Sequence, residues 1–369
     1  MTKKSIPMFI SGLIVLSLFI LGIFYVIDLS SPINEIKTKA TEENTEKYNS
    51  YPNNEKLFQK SITAYGLALS NQKNRQYIAN HFDLVYIPYQ MSEFAYEIKL
   101  LNPDIEIFAY LSASAIQNKY EDYDIYYDKV DIHEDWFLHD IFGNRIQQKQ
   151  YGWYAMDVGE EDWQEFYANQ AMSILETYPA LDGIMADESM QYFYDYEDFW
   201  TTPTKNIPDN IKNRWYGDMK DFLQYVSNNI NKQLLPNTKG IEYAEITGGI
   251  VWEGFLHAPW EELDEPGCNQ AEALKQINDL AELTGKGHYY CAVSNAKISD
   301  NPTNEEIEKA HELMEYCFCG FLLGVNGPKS VFGWGEIDAN DNHRGYYPEM
   351  DMEIGYPKVD YYNVKGSLY

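Results

Sequence analysis

A (β/α)8 (TIM) barrel preceded by an N-terminal transmembrane helix is the fold the sequence predicts, on three observations. Residues 7–27, PMFISGLIVLSLFILGIFYVI, carry no charge and are long enough to cross a bilayer as a helix. After residue 57, eight short apolar runs recur. Between them lie longer stretches with helical periodicity, and such alternation over about 300 residues argues for a parallel sheet closed by eight units.

The apolar run follows Lys3 and Lys4 and leads into Asp28-Leu29-Ser30-Ser31-Pro32 with no small-x-small cleavage site. It exceeds the apolar core of about 7–15 residues typical of a signal peptide. Residues 1–28 are therefore read as an uncleaved signal anchor, with a removed signal peptide and secretion as the alternative. The two lysines put the N-terminus inside and the rest outside. Residues 29–56 include KTKATEENTEKYNSYPNNEK, poor in large apolar side chains, and read as a polar tether. The folded domain is placed at 57–369.

Its strands are expected at FDLVYIPY (82–89), IEIFAYLSA (105–113), YAMDV (154–158), LDGIMAD (181–187), QLLPN (233–237), GGIVWEG (248–254), GHYYCAVS (287–294) and SVFGWG (330–335). Helices are expected over MSEFAYEIKLL, EEDWQEFYANQAMSILETY, IKNRWYGDMKDFLQYVSNNINK, QAEALKQINDLAELTG and NEEIEKAHELMEYCFCGFLL. Thr303-Asn304-Glu305-Glu306 supplies an N-cap with acids in the first turn, and Gly285 is the expected C-cap before GHYYCAVS. A doubly wound open sheet is the alternative, but no glycine-rich phosphate loop opens any helix.

Composition narrows the function. Acids outnumber bases 57 to 28, a formal charge of -29 that repels nucleic acid and would attract a cationic polymer. Cys268, Cys291, Cys317 and Cys319 form no CxxC pair, and none of the seven histidines is paired at metal spacing, so no metal and no cofactor are expected. There is no GxSxG elbow, HExxH or Walker loop.

Catalytic groups of such barrels sit at the C-terminal ends of strands. LDGIMAD delivers Asp187 to its exit, and GGIVWEG delivers Glu253. Strands two apart thus bring paired carboxylates to one mouth, the arrangement glycoside cleavage requires: one protonated acid for the leaving oxygen, one ionised group as nucleophile or base. Each acid has a plainer role, capping the helix that follows, and two apolar strands ending this way tip the balance. Asp157, at the end of YAMDV, is either a third site member or the cap of the helix starting near Glu160. Glu188 falls on the other side of the chain from Asp187, as a supporting neighbour. Asp182 starts its strand at the stability face and is set aside. Tyr110, Trp153, Tyr192, Tyr194 and Trp252 fall near strand exits, where flat rings can stack on sugars, although many aromatics must be core. His257 is the one histidine placed near the cleft.

Taken in order, NHFDLVYIPY, LNPDIEIFAYLSA, DWFLHDIFGNRI, YAMDVGEEDWQEFY, LDGIMADES and GGIVWEGF resemble glycosyl hydrolase-like family 15, and more distantly the endo-α-1,4-polygalactosaminidases. The resemblance covers about residues 60–355. It implies a TIM barrel with a catalytic Asp after the fourth strand and Glu after the sixth, which fall on Asp187 and Glu253. Asp83, Asp140 and Asp157 match recurrent positions without assigned roles. The family's further C-terminal strand is missing after IGYPKVDYYNVKGSLY, so truncation at the C-terminus is expected. The combined expectation is a membrane-anchored, extracytoplasmic glycoside hydrolase acting on a polysaccharide, with the roles of the two acids exchangeable. The alternatives are a non-catalytic glycan-binding barrel at the cell surface and a structural envelope protein.

Overall fold

The computed structural model describes residues 56–117, 126–149, 151–193, 199–258, 260–265, 267–299, 302–337 and 345–352, and the strand residues 363–364 and 367–368. The expected anchor at 7–27 and most of the tether lie outside them, as does Tyr194. No helix among the described residues is long and apolar enough to cross a membrane.

Residues 54–355 form one compact unit. Its eight parallel strands are β1 (Gln59–Ala64), β2 (Leu84–Pro88), β3 (Glu106–Ser112), β4 (Gly183–Asp187), β5 (Gln233–Pro236), β6 (Gly249–Glu253), β7 (Tyr289–Ser294) and β8 (Ser330–Ile337). They run in the order β5-β4-β3-β2-β1-β8-β7-β6. The ends of this ribbon meet through one parallel bridge, Asn237 to Val251, with Thr238 N–H donating to Val251 O at 2.9 Å. The result is a nearly closed barrel, and the open-sheet alternative falls away. Separately, Asn363–Val364 pairs antiparallel with Ser367–Leu368.

Helices α1 (Gln72–His81), α2 (Ala95–Leu101), α3 (Glu161–Thr177), α4 (Asp209–Asn229), α5 (Ala244–Thr247), α6 (Gln270–Gly285) and α7 (Asn304–Gly324) connect successive strands. The strand period of two sorts side chains between two cores. Leu84, Tyr86, Phe108, Met185, Leu235, Val251, Cys291 and Val331 point inward and fill the barrel. Their neighbours Val85, Ile87, Ile107, Ala109, Ile184, Ala186 and Leu234 point outward into the layer shared with helix residues such as Trp163, Trp215 and Phe222. Burial on both faces explains why most of these strands read as unbroken apolar runs, and each large side chain so buried contributes about 1.5–3 kcal/mol.

Two expectations are corrected, and the corrections cancel in the strand count. YAMDV is not a barrel strand: Tyr154–Ala155 pairs antiparallel with Ala115–Ile116, inside the long β3–α3 excursion. Its apolar alternation reflects that local pairing. The strand missed is β1, whose Gln59, Lys60, Ser61 and Thr63 break any apolar run. Glycine is required at 333 of β8 beside Ser61, because a Cβ there would fall 2.6 Å from Ser61 Oγ. LDGIMAD and GGIVWEG remain the fourth and sixth barrel strands.

The N-terminus of α7 is as expected. Thr303 Oγ1 accepts from Glu306 N at 3.2 Å and Glu306 Oε2 accepts from Thr303 N at 2.7 Å, a reciprocal capping box. Thr303→Ala should cost about 1 kcal/mol, measured as a lower urea midpoint at unchanged slope; an unmoved midpoint would mean that Glu306 alone suffices. The expected C-cap is displaced: Gly285 is the last helical residue of α6, and left-handed Gly287, at φ 82°, turns the chain into β7.

Asp182 behaves as the sequence suggests. Its Oδ2 accepts from Ile107 N at 2.8 Å and pairs with Lys99 at 2.9 Å, tying the start of β4 to its neighbours. Asp83 accepts from Lys60 N at 3.0 Å at the start of β2, and Asp140 holds the turn that follows it by accepting from Phe142 N and Asn144 N. These roles are structural.

Candidate active site

A cleft of about 1740 Å³ opens at the C-terminal mouth of the barrel. Inward parity carries β4 from Met185 to Asp187, β6 from Val251 to Glu253, β3 from Phe108 to Tyr110 and β5 from Leu235 to Asn237, so all four exits converge on its floor. Asn237 joins the two acids: its Nδ2 donates to Asp187 Oδ1 at 2.7 Å and to Glu253 Oε2 at 2.9 Å. These two oxygens are therefore no farther apart than those bonds laid end to end. On its other oxygen, Asp187 accepts from Tyr110 Oη at 2.6 Å.

The surroundings separate the two carboxyls. Burial, reinforced by the charge of Asp187, pushes Glu253 up to about 7, against the Asn237 hydrogen bond and with a smaller upward push from Glu336. A glutamic acid so placed keeps its proton near neutrality. Burial and then the charge of Asp187 also raise Tyr110, which stays a phenol and a donor.

Glu188 departs from the expectation. Strict strand alternation would turn it away from Asp187, but its backbone is left-handed, φ 55°, and both consecutive acids line the cleft. A non-glycine residue in that region is uncommon and strained. The turn is held by Ser114, whose Oγ donates to Glu188 O, and by Gln148, whose Nε2 donates to Glu188 Oε1 at 3.1 Å. Burial first, then Asp187 and Glu253, raises Glu188 well above the usual carboxylate range.

Trp153 lines the cleft from the β3–α3 excursion. Four other candidates do not. Asp157 faces a separate shallow hollow, where Arg214 donates to both its oxygens, at 2.8 and 2.5 Å, and Gly159 N donates at 3.1 Å. It lies off the mouth because YAMDV is not a barrel strand. Trp252 has outward parity: it is buried against Tyr290, ring centroids 6.1 Å apart, with Lys275 of α6 over its face. His257 is buried below the surface and bonded through Nδ1 to Asn295 O at 2.7 Å, bracing two loops. Tyr192 stacks on Tyr216 beyond the cleft wall.

Asn237, Gln148, Tyr65, Tyr151 and Glu336 also line the cleft and escaped the sequence reading. Asn237 had a signal, since it stands directly after QLLP at the exit of β5; weighing amides with acids at strand ends would have found it. Gln148 and Tyr151 come from an irregular excursion with no periodicity to read.

The solved glycoside hydrolase domain of PelA from Pseudomonas aeruginosa, in a single-residue variant, superposes with a TM-score of 0.52 at 13% identity, over 78% of this chain and 97% of that one. The unsubstituted domain gives 0.50 at 14%, over 78% and 96%. Aspergillus fumigatus Ega3 in complex with galactosamine gives 0.46 at 10%, over 79% and 93%. At such identities the PelA likeness establishes the fold. No curated protein matches. The model of hypothetical glycosyl hydrolase family 15 matches residues 99–369, from the end of α2 through both acid-bearing strands, and the chain belongs to that family.

Proposed function

We propose that the chain is a retaining glycoside hydrolase acting on a polysaccharide, with Glu253 as proton donor and Asp187 as nucleophile. The observation that carries this is the single amide of Asn237 bonded to both carboxylates. It caps the separation of these two oxygens below the about 6.5–9.5 Å that admits a water in inverting pairs, which favours the about 5–5.5 Å class of retaining ones. Glu253, held protonated, gives its proton to the glycosidic oxygen as that bond breaks, and an Asp187 oxygen bonds to the anomeric carbon. Water, deprotonated by Glu253, then displaces Asp187 and restores both groups. Tyr110 and Asn237 fix the carboxylate of Asp187 on both oxygens, which favours attack geometry over rotation.

The test is release of new reducing ends by the full chain from a panel of polysaccharides, amino-sugar polymers included, with the first-formed anomer followed by NMR. Release with retained configuration is expected. Binding without release on every polymer would leave a glycan-binding barrel instead, and an inverted product would reject Asp187 as nucleophile.

Substrate charge belongs to the same proposal. It rests on the net charge of -29 of the whole chain and not on the lining, where Glu188 and Glu253 are held protonated and Asp187 and Glu336 stand beside Lys149, Lys239 and Lys297. A partly deacetylated amino-sugar polymer should be cleaved faster than its fully acetylated form, with the advantage shrinking as salt screens the field over about 8 Å. Equal rates on both polymers at every salt concentration would reduce the acids to a solubility role. Location follows from residues 7–27, proposed as a retained anchor with the barrel outside the membrane; a mature chain starting near Ser30 would show a cleaved signal.

A further inference from the structure

His311 and Glu315 stand one turn apart on α7, and Glu349 sits in the 3-10 turn Pro348–Asp351 that follows β8. One ligand atom from each converges so that all three lie within 4.8 Å of one another. His311 Nε2 is 3.4 Å from Glu349 Oε1 and 3.9 Å from Glu315 Oε1. Both distances are long for a charge-assisted hydrogen bond, which runs at about 2.7–2.9 Å. His311 Nε2 and Glu349 Oε2 are shielded from solvent, yet neither finds a hydrogen-bond partner among the described residues. At these distances a well-made hydrogen-bonded ion pair does not account for the convergence of the three ligand atoms.

A metal ion accounts for it better. Zinc binds imidazole nitrogen and carboxylate oxygen at about 2.0–2.2 Å, which in tetrahedral geometry puts two ligand atoms about 3.4 Å apart. The His311–Glu349 pair has that spacing already, and Glu315 Oε1 stands 3.9 Å from the same nitrogen. The His311 ring is stacked on Tyr347, centroids 4.9 Å apart and planes 18° from parallel, which orients the ring. None of the three residues lines the cleft.

We propose that His311, Glu315 and Glu349 bind one divalent transition metal of the zinc class, with water in the fourth position, and that the ion fastens the turn after β8 to α7. The donor set favours zinc over magnesium, because imidazole is a poor partner for the harder ion. The sequence conceals the site: only His311 and Glu315 share an element, and Glu349 comes from the turn after β8.

The purified full chain, stripped with chelator and dialysed, is titrated with Zn²⁺ and with Mg²⁺ by calorimetry, and its Tm is followed. One saturable Zn²⁺ equivalent with a Tm rise of about 3 °C or more is expected, with no comparable response to Mg²⁺ and weaker binding on acidification, since imidazole ligates unprotonated. His311→Ala and Glu349→Gln should each weaken Zn²⁺ about tenfold or more, and His133→Ala should not. If either variant fails to fold, Glu315→Gln, at the most exposed of the three positions, carries the same expectation. Absence of Zn²⁺ binding, or binding undiminished in the variants that fold, overturns the proposal and leaves an ion-pair cluster.

Discussion

Asp187→Asn is expected to lower kcat by about 10³-fold or more while leaving polymer binding within a few-fold of wild type. An amide cannot attack the anomeric carbon, yet it keeps the size and hydrogen-bonding reach that Tyr110 and Asn237 engage. Glu253→Gln should cost about 10²–10⁴-fold, the usual worth of general acid catalysis. The two losses differ in kind. A good leaving group needs no proton, so a nitrophenyl glycoside should restore the first step of Glu253→Gln, read as kcat/KM, while its turnover, which still lacks a base for water, recovers only with an added anionic nucleophile such as azide; Asp187→Asn should recover neither. The opposite pattern would exchange the two roles. Wild-type activity should decline as pH rises through about 7, where Glu253 gives up its proton, and that alkaline limb should vanish in Glu253→Gln on the activated substrate. Either variant retaining more than about a tenth of wild-type polymer cleavage would remove its acid from the mechanism.

The parts of this site that were legible in the sequence are those that depend on strand parity alone. Asp187, Glu253 and Tyr110 lie two residues beyond an inward-facing core residue, and an apolar strand fixes that phase. Trp252 stands next to Glu253 in sequence yet faces the opposite layer, since adjacent residues of a strand point to opposite sides. Glu188 shows the converse. Parity would turn it away, and only the left-handed backbone, invisible in composition, returns it to the cleft. Asp157 failed through its strand, since pairing within a loop excursion and pairing within a barrel produce the same short alternation. β1 was unreadable because Gln59, Lys60, Ser61 and Thr63 leave Ile62 and Ala64 isolated, with no apolar run to mark the strand.

Glu253→Gln is further expected to make the protein more stable than wild type at pH 8, by on the order of 3–4 kcal/mol, and no more stable at pH 4. The folded state raises Glu253 to about 7 by burying it beside Asp187, whereas an unfolded glutamate titrates near about 4.3. Between those values the unfolded chain binds fewer protons than the folded one, so unfolding becomes easier as pH rises, and the loss is complete above the folded value. Glu188, raised by burial and by the same neighbours, adds in the same direction. A glutamine cannot ionise, so it escapes the loss, and its amide oxygen can still accept from Asn237. Urea unfolding of both proteins across this range measures the gap, which should open between pH 4 and 8. The experiment requires no substrate, so it tests the site's electrostatics independently of the proposed hydrolysis. A gap of constant size at every pH would mean that Glu253 ionises as an ordinary glutamate and cannot hold a proton for the leaving group at neutrality. A gap that opens as expected would show that folding itself opposes the ionised pair, stability given up at the cleft floor for a carboxylic acid kept ready to donate.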